Sequence, residues 1–520
     1  MKRGDTGGRF KGMTKKKSNK EEGYKNYKNY KLWYNIKMKT DVLLINPSMD
    51  FSKFGSFARL LEPMPCIGLA YLAGVLEKEG YKVEVIDDFV IRKGKDFIIN
   101  LIGEKKPKIV GISCLTPSAP TSFEVSKAIK EKFKDVKIIM GNIHAGIFAK
   151  EILKDGYADV IVHGEGEEVI KKIVPILIDG KNPDGIKGVS FIKDGEISES
   201  KDVLIVENLD SLPFPAWHLF PYTKYGLLPF ADIKKPILTV LGSRGCPYKC
   251  AFCSLKYFGR RYRRRSVKNV VDEIEYLIDR FKIKQFGFVD PIFPLDREHA
   301  IEFSKEMIKR GVNKKVVWTT ETRPDMMDFE LARIMKEAGL RRIIFGLESG
   351  VEELLRNIKK EYNLERVREA VNACKKAGLE TIGLFMIGLP GETPELTLKT
   401  LKFAIELDLD FAKFAITVPF PGSELYEKLT KEGKLNRRDW ENFTTFNPDP
   451  DKIVYVPDGM TPQQLIKLQR YVSRKFYLRP RMILKQILKI RTISPYFIWQ
   501  GILSFLGVRE KTNPLQKSPL

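Results

Sequence analysis

From Asp41 onward the sequence predicts an α/β protein of two consecutive bodies: a doubly wound parallel sheet, then a partial barrel of six βα units, with a helical extension behind them. Three observations carry this. Short apolar runs without alternation, such as residues 42–46, are expected of strands buried on both faces. Stretches with helical spacing separate those runs. From residue 237 to 429 the strand–helix unit recurs about six times at roughly 30 residues, the size of one such unit.

In the first body the predicted strands are 42–46, 83–86, 109–113, 138–140 and 160–162. A helix over 67–79 buries Leu69, Leu72, Ala73 and Leu76 and ends at Gly80, a good cap. Five such strands over residues 40–193 fit a Rossmann-like or flavodoxin-like domain, which takes its ligand at the carboxyl ends of the strands. Those ends carry Thr116, Gly141-Asn142-Ile143-His144 and His163-Gly164-Glu165-Gly166-Glu167. Glycine there lets backbone come close to a bulky ligand. No G-x-G-x-x-G follows the first strand, so a dinucleotide is not expected.

Residues 194–235 read as a linker: a hairpin turn at Asp194-Gly195, then prolines and aromatics without periodicity. Trp217, His218 and Phe220 are expected to pack against both bodies. The second body, 236–430, has predicted strands at 238–241, 285–289, 316–319, 343–345, 381–386 and 411–417. Fewer than 200 residues are available, short of the roughly 250 of a closed eight-fold barrel, so one side stays open.

The first barrel strand runs into Cys246, Cys250 and Cys253, spaced C-x3-C-x2-C between a glycine and a proline that hold a loop. Thiolates are soft ligands for iron–sulfur clusters or zinc. A structural zinc would want four closed ligands, and no fourth Cys or His lies nearby. Three thiols can hold three corners of a cubane and leave the fourth iron open. The remaining cysteines, Cys66, Cys114 and Cys374, stand alone in apolar runs and read as small buried hydrophobes. Six cysteines and no signal-peptide segment point to a reducing, cytoplasmic setting.

The charge lies at the ends. Residues 1–40 hold 13 Lys and Arg against 3 acids, and residues 461–520 hold 12 against 1, leaving +3 of the total +24 for the middle. Residues 1–39 have no apolar periodicity and read as a disordered basic tail, with Met38 a candidate start. In 431–520, two amphipathic helical stretches, 482–490 and 495–508, are flanked by basic residues. They are too short to span a bilayer. Two readings stand: a helix lying in the membrane interface, or a cover over the open barrel.

The cysteine motif, with Phe252 before its last thiol, resembles the signature of the radical S-adenosylmethionine (SAM) superfamily. That resemblance implies a [4Fe–4S] cluster whose open iron chelates SAM, and cleavage of SAM to a 5′-deoxyadenosyl radical. It further implies SAM contacts at Phe252, at Asp290 after the second barrel strand, at Glu348 and Ser349 after the fourth, and at Gly388 and Leu389 after the fifth. Arg323, after the third, is a candidate carboxylate clamp, or else a partner of Glu321 or Asp325. The first body resembles the cobalamin-binding domain of one class in this superfamily, which implies contacts from Thr116, Gly141, Asn142, His144, Gly164, Glu165 and Gly166. Two departures stand out: Asn142 replaces a glycine of the class turn, and the D-x-H-x-x-G motif is absent.

A cobalamin-dependent radical SAM methyltransferase is therefore expected, similar to hopanoid methylases. The alternative is a ring-forming oxidative enzyme similar to the anaerobic magnesium-protoporphyrin ester cyclases. Its partners would be a small-molecule or lipid substrate and an external flavodoxin- or ferredoxin-type electron donor, with peripheral contact at the inner face of a membrane and no nucleic acid. A tRNA methylthiotransferase would need a second three-cysteine site, and only Cys66 and Cys114 precede the motif. A non-catalytic metal module would have no use for Glu348 or for 388–392.

Overall fold

The computed structural model describes residues 39–54, 63–200, 202–226, 234–435, 438–445 and 447–489, and from Thr40 onward these form one compact unit. The first sheet has seven strands in the order β2-β1-β3-β4-β5-β6-β7. Strands β1 (Val42–Asn46), β2 (Val83–Asp87), β3 (Ile109–Ser113), β4 (Lys137–Gly141) and β5 (Val160–Val162) are parallel. This is the flavodoxin order, with its switch point between β1 and β3. Sequence reasoning missed the two antiparallel strands β6 (Val189–Lys193) and β7 (Glu196–Ser198). They lack the dense apolar run of a buried strand. The turn joining them is Asp194-Gly195 as expected, both residues at positive φ as a two-residue hairpin turn requires.

The second sheet has six parallel strands in the order β15-β14-β13-β12-β11-β8. They are β8 (Ile237–Val240), β11 (Gln285–Phe288), β12 (Val317–Thr322), β13 (Leu340–Glu348), β14 (Glu380–Ile387) and β15 (Phe411–Ile416). The register sets Glu321 beside Ile344, Ile344 beside Ile382 and Ile382 beside Phe411. With Ile237, the last three form an apolar floor, so Glu321 shares the inner face. Trp318 points the other way, packing on Phe286, Phe288 and Phe303. Strands β12 and β13 run three residues past their expected ends, so Glu321 and Glu348 belong to strands and not to loops.

The linker binds both bodies. Trp217 and Phe220 are fully buried, Tyr225 donates to Asp87 at 2.5 Å, and Tyr222 meets Phe281 of the barrel edge-on. Helix Pro462–Tyr477 closes the β15 edge: Gln469 donates to the Phe414 carbonyl at 3.0 Å and Tyr477 to the Ala412 carbonyl at 2.8 Å. This part of the extension is a cover. The next helix, Pro480–Lys489, corresponds to the expected 482–490; residues 495–508 and the basic N-terminal tail lie outside the described residues.

Candidate cofactor sites

Gly245 fixes the start of the thiol loop. It sits at positive φ, and a Cβ there would stand 2.0 Å from the Arg261 carbonyl, because β9 (Ser243–Arg244) and β10 (Arg263–Arg264) pair across the loop. All six cysteines are free, and Cys246, Cys250 and Cys253 are half-buried. Burial pushes the Cys250 and Cys253 thiols up; at Cys250 the charges of Lys360 and Arg323 pull the other way. Among the described residues no three His, Cys, Asp or Glu side chains could hold a metal ion. Three thiols in one loop are the donor set of an iron–sulfur cluster. Cys114 and Cys374 are buried as expected, while Cys66 stands in a cavity wall, pushed up to about 12 by burial.

Beside the thiols lies a charged group that sequence reasoning missed. Lys360, 6% exposed, donates to Glu348 Oε1 at 2.5 Å and stands 5.8 Å from the Phe252 ring centre. Arg323 makes a bidentate pair with Asp325 at 2.9 Å in both bonds and stacks on Tyr248 at 3.7 Å. Its Nη1 is buried without a partner among the described residues, a donor left for a ligand. Glu348 adopts φ 57° where the β13–β14 register slips, and burial, then the Glu348 charge, pushes the Glu321 carboxyl up. Lys360 carries no motif; only its place between Glu348 and Phe252 reveals it.

Other expected SAM residues are occupied within the protein. Asp290 accepts from the Gly242 N–H at 2.7 Å and the Ser243 hydroxyl at 2.5 Å, and burial pushes its carboxyl up to about 7. It stitches the second strand to the entry of the thiol loop. Ser349 shares a hydrogen bond with Thr400 at 3.2 Å. The N–H groups of Gly388 and Leu389 donate to Glu392 Oε2 at 2.6 and 2.8 Å, so that turn can offer a ligand carbonyls but not these N–H groups. Leu389 joins the apolar cluster against which Phe252 packs.

Across from the loop, the carboxyl ends of the first sheet open into a cavity of about 390 Å³, a ligand-sized space. Its walls bring Gly141, Asn142, Gly164, Glu165 and Gly166 together with Ser243, Arg244, Gly245 and Phe258. A Cβ on Gly141 would meet nothing within 4 Å, so this glycine leaves room. Gly164 does not: its positive φ serves a close approach by the Leu204 backbone. Asn142 takes φ 79° with ψ 173°, a strained region that glycine occupies freely and other residues rarely do, and caps its own helix by accepting from the Ile143 N–H at 2.8 Å.

Thr116 and His144 do not line this cavity. His144 Nδ1 bonds Thr116 Oγ1 at 3.2 Å, and the ring is walled by Phe123, Phe148 and Trp440. Burial, helped by Arg438, drops its pKa to about 3. Trp440 arrives from the extension, which no local signal foretold. Both oxygens of Glu165 accept from Arg263, and Arg244 pairs with it at 3.1 Å.

The ligand end of a doubly wound sheet thus shares one cavity with Ser243, Arg244, Gly245, Leu255 and Phe258, the residues on either side of the three thiols. Residues 240–404 match the Radical SAM superfamily and residues 57–174 the B12 binding domain. The chain is 34% identical over 425 residues to an uncharacterized methyltransferase of Pyrococcus horikoshii, covering 81% of this chain and 90% of that one. It is 30% identical to the anaerobic magnesium-protoporphyrin IX monomethyl ester cyclase of Rubrivivax gelatinosus, covering 84% of this chain and 77% of that one. The solved radical SAM methyltransferase TsrM of Kitasatospora setae matches with a TM-score of 0.65 at 19% identity, over 85% of this chain and 90% of that one, a likeness of fold. This chain belongs to the radical SAM superfamily, in the group with a B12-binding domain ahead of the barrel. Its cofactors are a [4Fe–4S] cluster, SAM and cobalamin.

Proposed function

We propose that this enzyme transfers a methyl group to an unactivated carbon of a small-molecule or lipid substrate. The observation that carries the reading is a cavity lined by Gly141 and Gly166 from the first body and by Ser243, Arg244 and Gly245 from the second. In this reading Cys246, Cys250 and Cys253 hold the cluster. Phe252, Arg323, Glu348 and the 388–389 turn surround SAM, with Asp290 and Ser349 supporting them. Gly141, Asn142, Gly164 and Gly166 shape the cobalamin cradle, backed by Thr116 and His144. When bound, these groups supply one-electron chemistry and a methyl carrier; the protein supplies binding, orientation and electrostatics.

Burial pushes the Cys250 thiol up, and the positive charges of Lys360 and Arg323 beside it offset part of that rise. Apolar side chains from Leu69, Leu72 and Ile170 wall the cavity and keep water from the reacting carbon. The test is anaerobic reconstitution with iron, sulfide and hydroxocobalamin, then assay of 5′-deoxyadenosine and S-adenosylhomocysteine in one tube with a small-molecule and lipid extract. Both products together support methyl transfer. Deoxyadenosine alone favours the second reading, oxidative ring formation, which the 30% identity to the Rubrivivax gelatinosus cyclase motivates.

An external one-electron donor of flavodoxin or ferredoxin type completes the proposal, with the enzyme in the cytoplasm at the inner face of the membrane and no nucleic-acid partner. Leu478, Ile483 and Leu484 are 67%, 44% and 58% exposed at the end of the described extension, with Arg479 and Arg481 among them. No helix among the described residues is long and apolar enough to cross a membrane. Basic residues flanking exposed aliphatics suit an anionic interface. Deleting residues 478–520 should abolish flotation with anionic liposomes; unchanged flotation sinks the membrane reading.

A further inference from the structure

The hairpin that carries the thiol loop is tied to the first body by buried charge. Arg244, two residues before Cys246, reaches Glu167 at 2.6 Å and Glu165 at 3.1 Å. Arg263, on the returning strand, donates to the two oxygens of Glu165 at 2.7 and 2.9 Å. Both strands of the hairpin thus grip neighbouring acids at the end of β5. Glu165 is anchored in turn: Oε2 accepts the Val206 N–H at 2.6 Å, and its own N–H donates to the Leu204 carbonyl at 2.8 Å. The four side chains keep between 4% and 13% of their surface exposed. Beyond the last thiol, the Tyr257 hydroxyl meets His163 Nδ1 at 3.2 Å, and a Cβ on Gly146 would stand 1.8 Å from that hydroxyl.

Burying such pairs is a poor way to gain stability, because desolvation offsets most of the Coulomb attraction and apolar packing would serve as well. What bidentate charge pairs add is geometric definition. Here it falls on a segment that both lines the cavity and leads into the thiols. We propose that Glu165, Glu167, Arg244 and Arg263 are positioning residues that hold the thiol loop at one setting relative to the cobalamin cradle. Glu165, expected to touch the cofactor, acts through the arginines instead. The inference rests on the two cofactors of the family, not on the choice between methyl transfer and ring formation.

The test uses the full chain, anaerobically reconstituted with cluster and hydroxocobalamin and then reduced. Two quantities are read: the magnetic interaction between reduced cluster and cob(II)alamin by electron paramagnetic resonance, and hydroxocobalamin affinity by equilibrium dialysis. E165Q and E167Q keep side-chain size and remove charge. Both should weaken or broaden the magnetic interaction while hydroxocobalamin affinity stays within about two-fold of the parent. R244K keeps the charge but loses the planar fork that reaches both acids, and serves if the glutamine variants lose iron. E207Q removes an exposed partner of Arg261 on the same hairpin and should leave both quantities within about two-fold. The proposal is overturned if fully loaded E165Q, E167Q and R244K all show the parental interaction. It is equally overturned if E165Q weakens hydroxocobalamin about ten-fold or more with the interaction unchanged, for Glu165 would then be a direct contact.

Discussion

At the first sheet the strand ends present glycines and aliphatic side chains around open space, as at Gly141, Leu72 and Ile170. At the second sheet they present charged residues already paired, Lys360 with Glu348 and Arg323 with Asp325. The first region is shaped by what is missing from side chains; the second is set by where side chains reach. A substitution that adds bulk should therefore injure the first through affinity, and one that removes charge should injure the second through both stability and affinity.

Alanine at two glycines separates the regions most widely. G245A puts a Cβ 2.0 Å from the Arg261 carbonyl at a positive φ, and should cost more than about 3 kcal/mol with loss of bound iron. G141A meets nothing within 4 Å and should change stability by less than about 1 kcal/mol. The larger G141F should then lower hydroxocobalamin affinity at unchanged iron content. Thermal unfolding, iron analysis and dialysis on the three variants check this. Equal losses in G245A and G141A would erase the contrast.

Next in size is K360M. It strands the buried Glu348 carboxylate near Glu321 and should cost about 3 kcal/mol, with a raised KM for SAM. E348Q, which leaves a neutral partner, should cost less. Urea midpoints and SAM kinetics for the pair read the difference.

Asp290 gives a pH signature. Burial raises its carboxyl from 3.8 to about 7 in the folded chain. Between those values the folded state binds more protons than the unfolded one, so its contribution to stability falls as pH rises. The parent should lose melting temperature between pH 5 and pH 8 relative to D290N. Parallel curves for the two proteins would refute the assignment.

The exposed pair Lys256–Glu427, at 2.9 Å with 42% and 50% of each side chain accessible, marks the bottom of the scale. E427Q should shift stability by less than about 0.5 kcal/mol.

Much of this was legible from residue order. Strands buried on both faces announce themselves as apolar runs, and three thiols in eight residues define a loop whatever surrounds it. Three things were hidden. Strand β7 is the sheet edge and β6 pairs beside it, and both expose side chains to water, so the apolar signal thins. Lys360 gains meaning only when Glu348 at the end of β13 and Phe252 of the thiol loop close on it. Trp440 reaches His144 from almost 300 positions away, a contact that no local periodicity encodes. The run Gly164-Glu165-Gly166-Glu167 was visible, but its use was not: spacing shows that two acids are adjacent, and only the fold shows that arginines of another body meet them.

The central claim is that Cys246, Cys250 and Cys253 carry the chemistry of the whole chain. Each should be replaced by alanine, and the proteins purified and reconstituted without oxygen, then assayed for iron and for 5′-deoxyadenosine released from SAM. Every variant should lose cluster iron and fall at least about a thousand-fold in deoxyadenosine formation, as loss of a reacting centre does. Deoxyadenosine released at the parental rate by any of the three would contradict the account.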